Sequence, residues 1–233
     1  MSESAIHRAM ISTVALALGP ELLDQVAFVG GCTTSLLITD DFSRDQVRHT
    51  HDVDLILHVV GHAGWAQLQE QLRAKGFKDI TDHAAPICAL QLGELRVDFM
   101  PDNEQLLGFS NRWYEDALKT AETHELSDGI RIRLVTPPYF IATKLEAFKG
   151  RGNSDPLASQ DIEDILNLFN GRETLVEEIG QAPSPLRKYI SNEIRALLQH
   201  PGMAHAIEGS APGQPAQVDY LYELLEVVAS REE

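Results

Sequence analysis

The chain is short of the features that would set it apart from ordinary globular proteins. No stretch of its 233 residues approaches the roughly 20 consecutive apolar residues of a membrane span. Its start, MSESAIHRAM, lacks the basic and then continuously apolar pattern of a secretory signal. Together these absences predict a cytoplasmic protein with no membrane partner. Cysteine is scarce: Cys32 and Cys88 have no CxxC partner and no ligand cluster beside them. Reduced thiols are expected, and neither a structural zinc site nor redox chemistry finds support. There are no internal repeats and no low-complexity tracts. Basic residues are also few, 19 Lys and Arg against 35 Asp and Glu, giving a net charge of −16. A general nucleic-acid binder is disfavoured, because phosphate backbones are held through many Lys and Arg contacts.

What is present is a chain with 43% hydrophobic residues and charge spread throughout, enough for one substantial core or a domain with a smaller satellite. Between Arg131 and Arg151 the balance reverses locally. Five basic residues there face a single acid, Glu146. A local anion site and an ordinary charged surface both fit that stretch.

Residues 47–57, VRHTHDVDLIL, carry Asp52 and Asp54 one residue apart at the start of an aliphatic run that continues to Val60 and ends at Gly61. The run reads as a buried strand. Alternation points both carboxylates to one face with roughly 7 Å between their Cα atoms, within reach of a common divalent ion. Two anions so close need a compensating cation or a shared proton. A solvated strand start is the bland reading of the same D-x-D. His49 and His51 add a rival transition-metal reading with Asp52 and Asp54, weakened by their place in a polar connection.

Upstream, residues 5–18 have helical spacing. QVAFVGG then reads as a short buried strand running into Gly30 and Gly31, and CTTSLLI as the start of a helix. Strand, double glycine and a Thr/Ser-rich helix start would leave backbone N–H groups open to a phosphate, although Gly-Gly is more often just a tight turn. Downstream, GWAQLQEQLRAKGF is helical to Gly76. ICALQLGELRVDFMP reads as a hairpin that places a third strand carboxylate, Asp98, between Val97 and Phe99.

Two helices break their own patterns. In TPPYFIATKLEAFKGRG the residues Phe140, Ile141, Leu145, Ala147 and Phe148 form one apolar arc, and Lys144 falls in its middle. In SQDIEDILNLF, with Ser159 as the expected cap, Asp161 projects into the apolar arc and Asp164 lies at its margin. Three readings stay open: a helix-terminal acid, a buried Lys144–Asp161 pair, and a functional site. Residues 172–233 have helical spacing, interrupted at GSAPGQPAQ.

Double glycine after a strand, then D-x-D, then a third strand aspartate resembles the polymerase-β-like nucleotidyltransferase superfamily. The KLEAFKGRG and QDIEDIL stretches resemble its AbiEii/AbiGii toxin family, including members with an R-x-T-x-D-[VI]-D block. The resemblance covers most of residues 26–198. It implies an α/β (α+β) fold: a nucleotidyltransferase-like mixed β-sheet flanked by helices, with a helical C-terminal part. Residues 1–135 would form the core with an N-terminal helix, and residues 136–233 would complete the active site.

The implied activity is Mg²⁺-dependent transfer of an NMP from an NTP to an acceptor, with Mn²⁺ as a substitute ion. The acceptor is tRNA or a small molecule, as in antibiotic nucleotidyltransferases, and an antitoxin partner is implied if the chain is a toxin. A nucleotide-binding module without turnover is the non-enzymatic alternative. By resemblance, Gly30 and Gly31 hold the nucleotide phosphates with Thr33 or Thr34 supplying a hydroxyl, Asp52 and Asp54 bind Mg²⁺, Asp98 is a third metal ligand or the base for the acceptor hydroxyl, and Lys144 contacts phosphate. Arg48 and Thr50 match the block before the D-x-D, and Asp161 and Asp164 match a D-x-x-D helix. Cys32 departs from the pattern, standing where many relatives have Ser or Thr.

Overall fold

A computed structural model of the chain describes residues 2–81, 86–108, 110–126, 129–151 and 155–231. The last glycine of KLEAFKGRG, Gly152, lies outside them. The chain divides into two compact units. One comprises Met1–Thr33 and Arg48–Thr136, the other Thr34–Val47 and Pro137–Glu233. The segment Thr34–Val47 thus groups with the C-terminal residues. Among the described residues no helix is long and apolar enough to cross a membrane.

The first unit carries a mixed sheet, as expected, and it has seven strands. Its strands are β1 (Val26–Val29), β2 (Asp52–Leu57), β3 (Lys78–Asp79), β4 (Ala89–Leu92), β5 (Leu95–Pro101), β6 (Glu122–Glu125) and β7 (Arg131–Leu134). Their spatial order is β3-β4-β5-β2-β1-β7-β6. The aliphatic strands β1 and β2 lie inside the sheet, where Val26, Ala27, Phe28, Val53, Leu55 and Ile56 are buried to 2% exposure or less. Strand β2 pairs antiparallel with β1 and parallel with β5. The parallel register sets Asp52 opposite Arg96 and Asp54 opposite Asp98.

The hairpin turns at Gly93, where φ is +63°, and joins β4 to β5 as read from the sequence. Strand β2 ends at Leu57 and not at Val60. Its last partner is Pro101, which has no N–H to continue a ladder. The first helix, Glu3–Leu23, is longer than its periodic core and breaks at Gly19 (φ 68°, ψ 170°), after which Pro20 opens a new first turn.

The second unit is helical among its described residues. The helices Pro137–Gly150, Gln160–Gly171, Ser184–Leu198 and Pro215–Ala229 supply most of its core, with Phe140, Ile141, Ile162, Ile165, Ile190, Ile194, Leu221 and Leu225 fully buried. Ser159 caps Gln160–Gly171 by accepting from the Ile162 N–H at 3.3 Å. Thr34–Val47 is tied to the end of that helix, because the Gly171 carbonyl accepts from the N–H groups of Thr39 and Asp40 at 2.9 and 3.0 Å. Arg172 also donates to the Leu37 carbonyl at 2.7 Å. A Cβ on Gly171 would lie 2.6 Å from an Ile38 methyl, so the residue is small for close packing.

Candidate functional site

Alternation and register together build an acidic centre in the first unit. Residues in register on parallel strands point to the same face, so Asp52, Asp54, Arg96 and Asp98 share one. One oxygen from each aspartate lies within 4.8 Å of the other two, and Asp98 is buried while Asp52 and Asp54 are half-buried. Among the described residues this is the one group of three or more His, Cys, Asp or Glu side chains gathered closely enough to hold a metal ion.

The donor set suits a hard divalent cation, being all carboxylate oxygen. Oxygens sharing one Mg²⁺ at about 2.1 Å lie about 3 to 4.2 Å apart, so side-chain adjustments of under about 1 Å would close the set.

Each carboxylate has a distinct support. Asp52 accepts from the Thr50 hydroxyl at 2.5 Å, a contact from the segment just before its strand. Asp54 leans over Gly30. A Cβ built there would lie 1.8 Å from Asp54 Oδ2, and Gly30 has φ +81°. The space freed by this glycine is therefore filled by Asp54. Asp98 is held by Arg96, whose Nε donates to Oδ1 at 2.8 Å and Nη2 to Oδ2 at 2.5 Å. This bond, together with attraction from Asp98, Asp52 and Asp54, holds the guanidinium pKa above its ordinary value. Behind the centre the Cys88 thiol is pushed up to about 12, by burial first and by the negative charge of Asp98 second.

The glycine turn closes on itself. Thr33 donates its hydroxyl and its N–H to the Gly30 carbonyl at 2.8 and 3.1 Å, and Cys32 Sγ donates to the Val29 carbonyl at 3.8 Å. Gly31 and Thr33 are buried. The following hydroxyls, on Thr34 and Ser35, are buried without a hydrogen-bond partner among the described residues. Arg48 donates to the His49 carbonyl at 3.2 Å.

Among the described residues no histidine joins Asp52, Asp54 and Asp98 in one cluster. His49 Nδ1 meets Glu3 at 2.6 Å, and its Nε2 meets His51 Nδ1 at 3.1 Å. His58 is held at 2.7 Å by Asp102.

In the second unit the two pattern-breaking helices meet through their odd residues. Lys144 Nζ lies 3.2 Å from Asp161 and 2.6 Å from Asp164. All three are at least nine-tenths buried, and the exposed Arg151 reaches the other oxygen of Asp161 at 3.3 Å. Two cations thus balance two anions. The buried Lys144–Asp161 pair left open by the sequence is present, extended by Asp164 and Arg151.

Sequence reasoning passed over Arg96. The signal was in the string ELRVDF, since Arg96 and Asp98 sit two apart on a strand and must share a face. Comparisons of the chain with known protein families and with curated proteins find no match.

Proposed function

We propose that the chain is a divalent-metal-dependent nucleotidyltransferase, moving a nucleoside monophosphate from an NTP to an acceptor nucleophile. The observation that carries the proposal is the convergence of Asp52, Asp54 and Asp98, from adjacent strands, to within 4.8 Å. Mg²⁺ or Mn²⁺ bound there would neutralise phosphate charge and ease deprotonation of the acceptor hydroxyl.

The chain's own residues position that chemistry. Asp52 and Asp54 provide the principal ligands, with Thr50 fixing the rotamer of Asp52 and Gly30 giving Asp54 its place. Asp98 adds the third carboxylate from a buried position that excludes water on its strand side. The turn Gly30–Gly31–Thr33 is the proposed approach for the triphosphate, by resemblance. A phosphate role for Lys144 would require its ammonium to leave both Asp161 and Asp164.

The net charge of −16 favours a small-molecule acceptor over tRNA. A tRNA acceptor and an antitoxin partner rest on the resemblance alone.

Incubation of the chain with each α-³²P NTP and Mg²⁺, with and without total tRNA and a panel of hydroxylated small molecules, tests the proposal. Label transferred to an acceptor by the wild type and lost in Asp54→Asn is the expected result. Full transfer by Asp54→Asn would sink the metal assignment. A second reading, a nucleotide-binding module without turnover, draws support from Cys32, which puts a thiol in the turn where a hydroxyl is usual. Nucleotide binding without pyrophosphate release across the whole panel would favour it.

A further inference from the structure

Of the three carboxylates, Asp98 is the most buried and carries the guanidinium. Asp52 is held by a neutral hydroxyl, which leaves its charge uncompensated by that contact. Asp98 has both oxygens engaged by the fork of Arg96. A carboxylate gripped in this way has one lone pair on each oxygen taken by the fork, which weakens what it gives a metal ion without removing it. A divalent ion shared with Asp52 and Asp54 would also sit close to the guanidinium and repel it. The two cations therefore compete for Asp98.

The side chain with freedom to move is Arg96, 40% exposed against 10% for the Asp98 side chain. Released from Asp98, the guanidinium would remain on the same sheet face, opposite Asp52 in register, with its planar fork free for another anion.

We propose that Arg96 is a built-in counter-ion: it occupies Asp98 until a divalent ion displaces it, and the freed guanidinium then binds the polyphosphate of the donor nucleotide. This deepens the nucleotidyltransferase reading and rests on it. Metal entry and donor binding are thereby coupled through one side chain, since the ion that completes the carboxylate set also liberates the anion-binding group. Before metal binds, the guanidinium lowers the repulsion among the three acids.

The decisive feature is a pair of effects with opposite sign. Arg96→Met keeps the length and apolar stem of the side chain and removes the competitor. It should bind Mn²⁺ about tenfold more tightly than the wild type, the scale of losing one charge-assisted fork at a half-exposed position. With Mn²⁺ saturating, the same variant should bind the Mn²⁺ complex of tripolyphosphate about tenfold more weakly. Arg96→Lys, a point charge without the fork, should fall between in both. Titration calorimetry on the full chain reads both affinities, with circular dichroism confirming the fold of each variant.

A merely structural role would weaken both affinities together, and that result overturns the proposal. Unchanged Mn²⁺ affinity in Arg96→Met, with binding still abolished by Asp54→Asn, also overturns it while leaving the metal centre standing. Absence of Mn²⁺ binding to both wild type and Arg96→Met removes the metal reading itself, and the counter-ion with it.

Discussion

Replacing Gly30 by alanine should separate the architecture of the acidic centre from the stability of the sheet around it. The added Cβ would lie 1.8 Å from Asp54 Oδ2, 2.6 Å from its Cγ and 2.8 Å from its Cβ. Carbon and oxygen do not approach closer than about 3 Å without a bond, so the carboxylate oxygen must retreat by about 1.2 Å. Rotating χ1 does not suffice, because the Asp54 Cβ is itself too close, and the paired backbones of β1 and β2 must part slightly. The positive φ of +81° adds about 1 to 2 kcal/mol for any L side chain. Overpacking adds about 1 to 3 kcal/mol.

At about 2 to 4 °C per kcal/mol for a chain of this size, the melting temperature should fall by about 4 to 20 °C. A metal ligand displaced by more than about 1 Å should cost roughly a hundredfold in transfer rate. Thermal melts, Mn²⁺ titration and the α-³²P assay read the three quantities. Adding Asp54→Ala to Gly30→Ala should return part of the lost stability while leaving activity absent. A Gly30→Ala protein with wild-type melting and wild-type Mn²⁺ affinity would refute the reasoning.

Lys144→Met should destabilise the second unit by about 3 to 5 kcal/mol in urea unfolding, because it takes from the buried Asp161 and Asp164 the cation they share and leaves only the exposed Arg151 beside Asp161. Neutralising both carboxylates as well, in Lys144→Met/Asp161→Asn/Asp164→Leu, should restore most of that. If the restored protein also retains full transfer, Lys144 has no phosphate role. Ser159→Ala should cost about 1 kcal/mol by removing the cap on the Ile162 N–H, visible as a small drop in urea midpoint. Cys88 in the native chain should resist iodoacetamide at pH 9 and react on unfolding, as peptide mass mapping would show. Its raised pKa means the folded state holds the proton more tightly. The resulting stabilisation is complete below the unfolded value near 9 and is lost as pH rises toward about 12, so denaturant midpoints should decline across that window.

The parts of this fold that the sequence discloses are those set by local period. Alternation in DVDLIL and in the ELRVDF hairpin strand predicts which face each carboxylate takes, and the 3.6-residue pattern exposes Lys144 and Asp161 as intruders in apolar arcs. The bidentate hold of Arg96 on Asp98 follows from the same alternation and was open to the same reading. The role of Gly30 was not, because it depends on the antiparallel register that brings Asp54 beside Val29. Likewise nothing in DDFSRDQV signals that this stretch belongs with a carbonyl at Gly171. Contacts between residues more than a hundred positions apart leave no trace in a local window.

That last contact has a consequence for how the chain assembles as it is made. Neither unit is one continuous piece of chain, since the backbone passes from the first to the second after Thr33, returns at Arg48 and leaves again after Thr136. The carbonyl that receives Thr39 and Asp40 belongs to Gly171, so residues 34–47 wait for the helix Gln160–Gly171 to be synthesised before they settle. A fragment ending at Thr136 would hold every residue of the acidic centre and still lack the anchor for the excursion that separates the glycine turn from the aspartate strand. Emergence of the helix Gln160–Gly171, and not completion of the sheet, is then the natural moment at which that excursion is fixed.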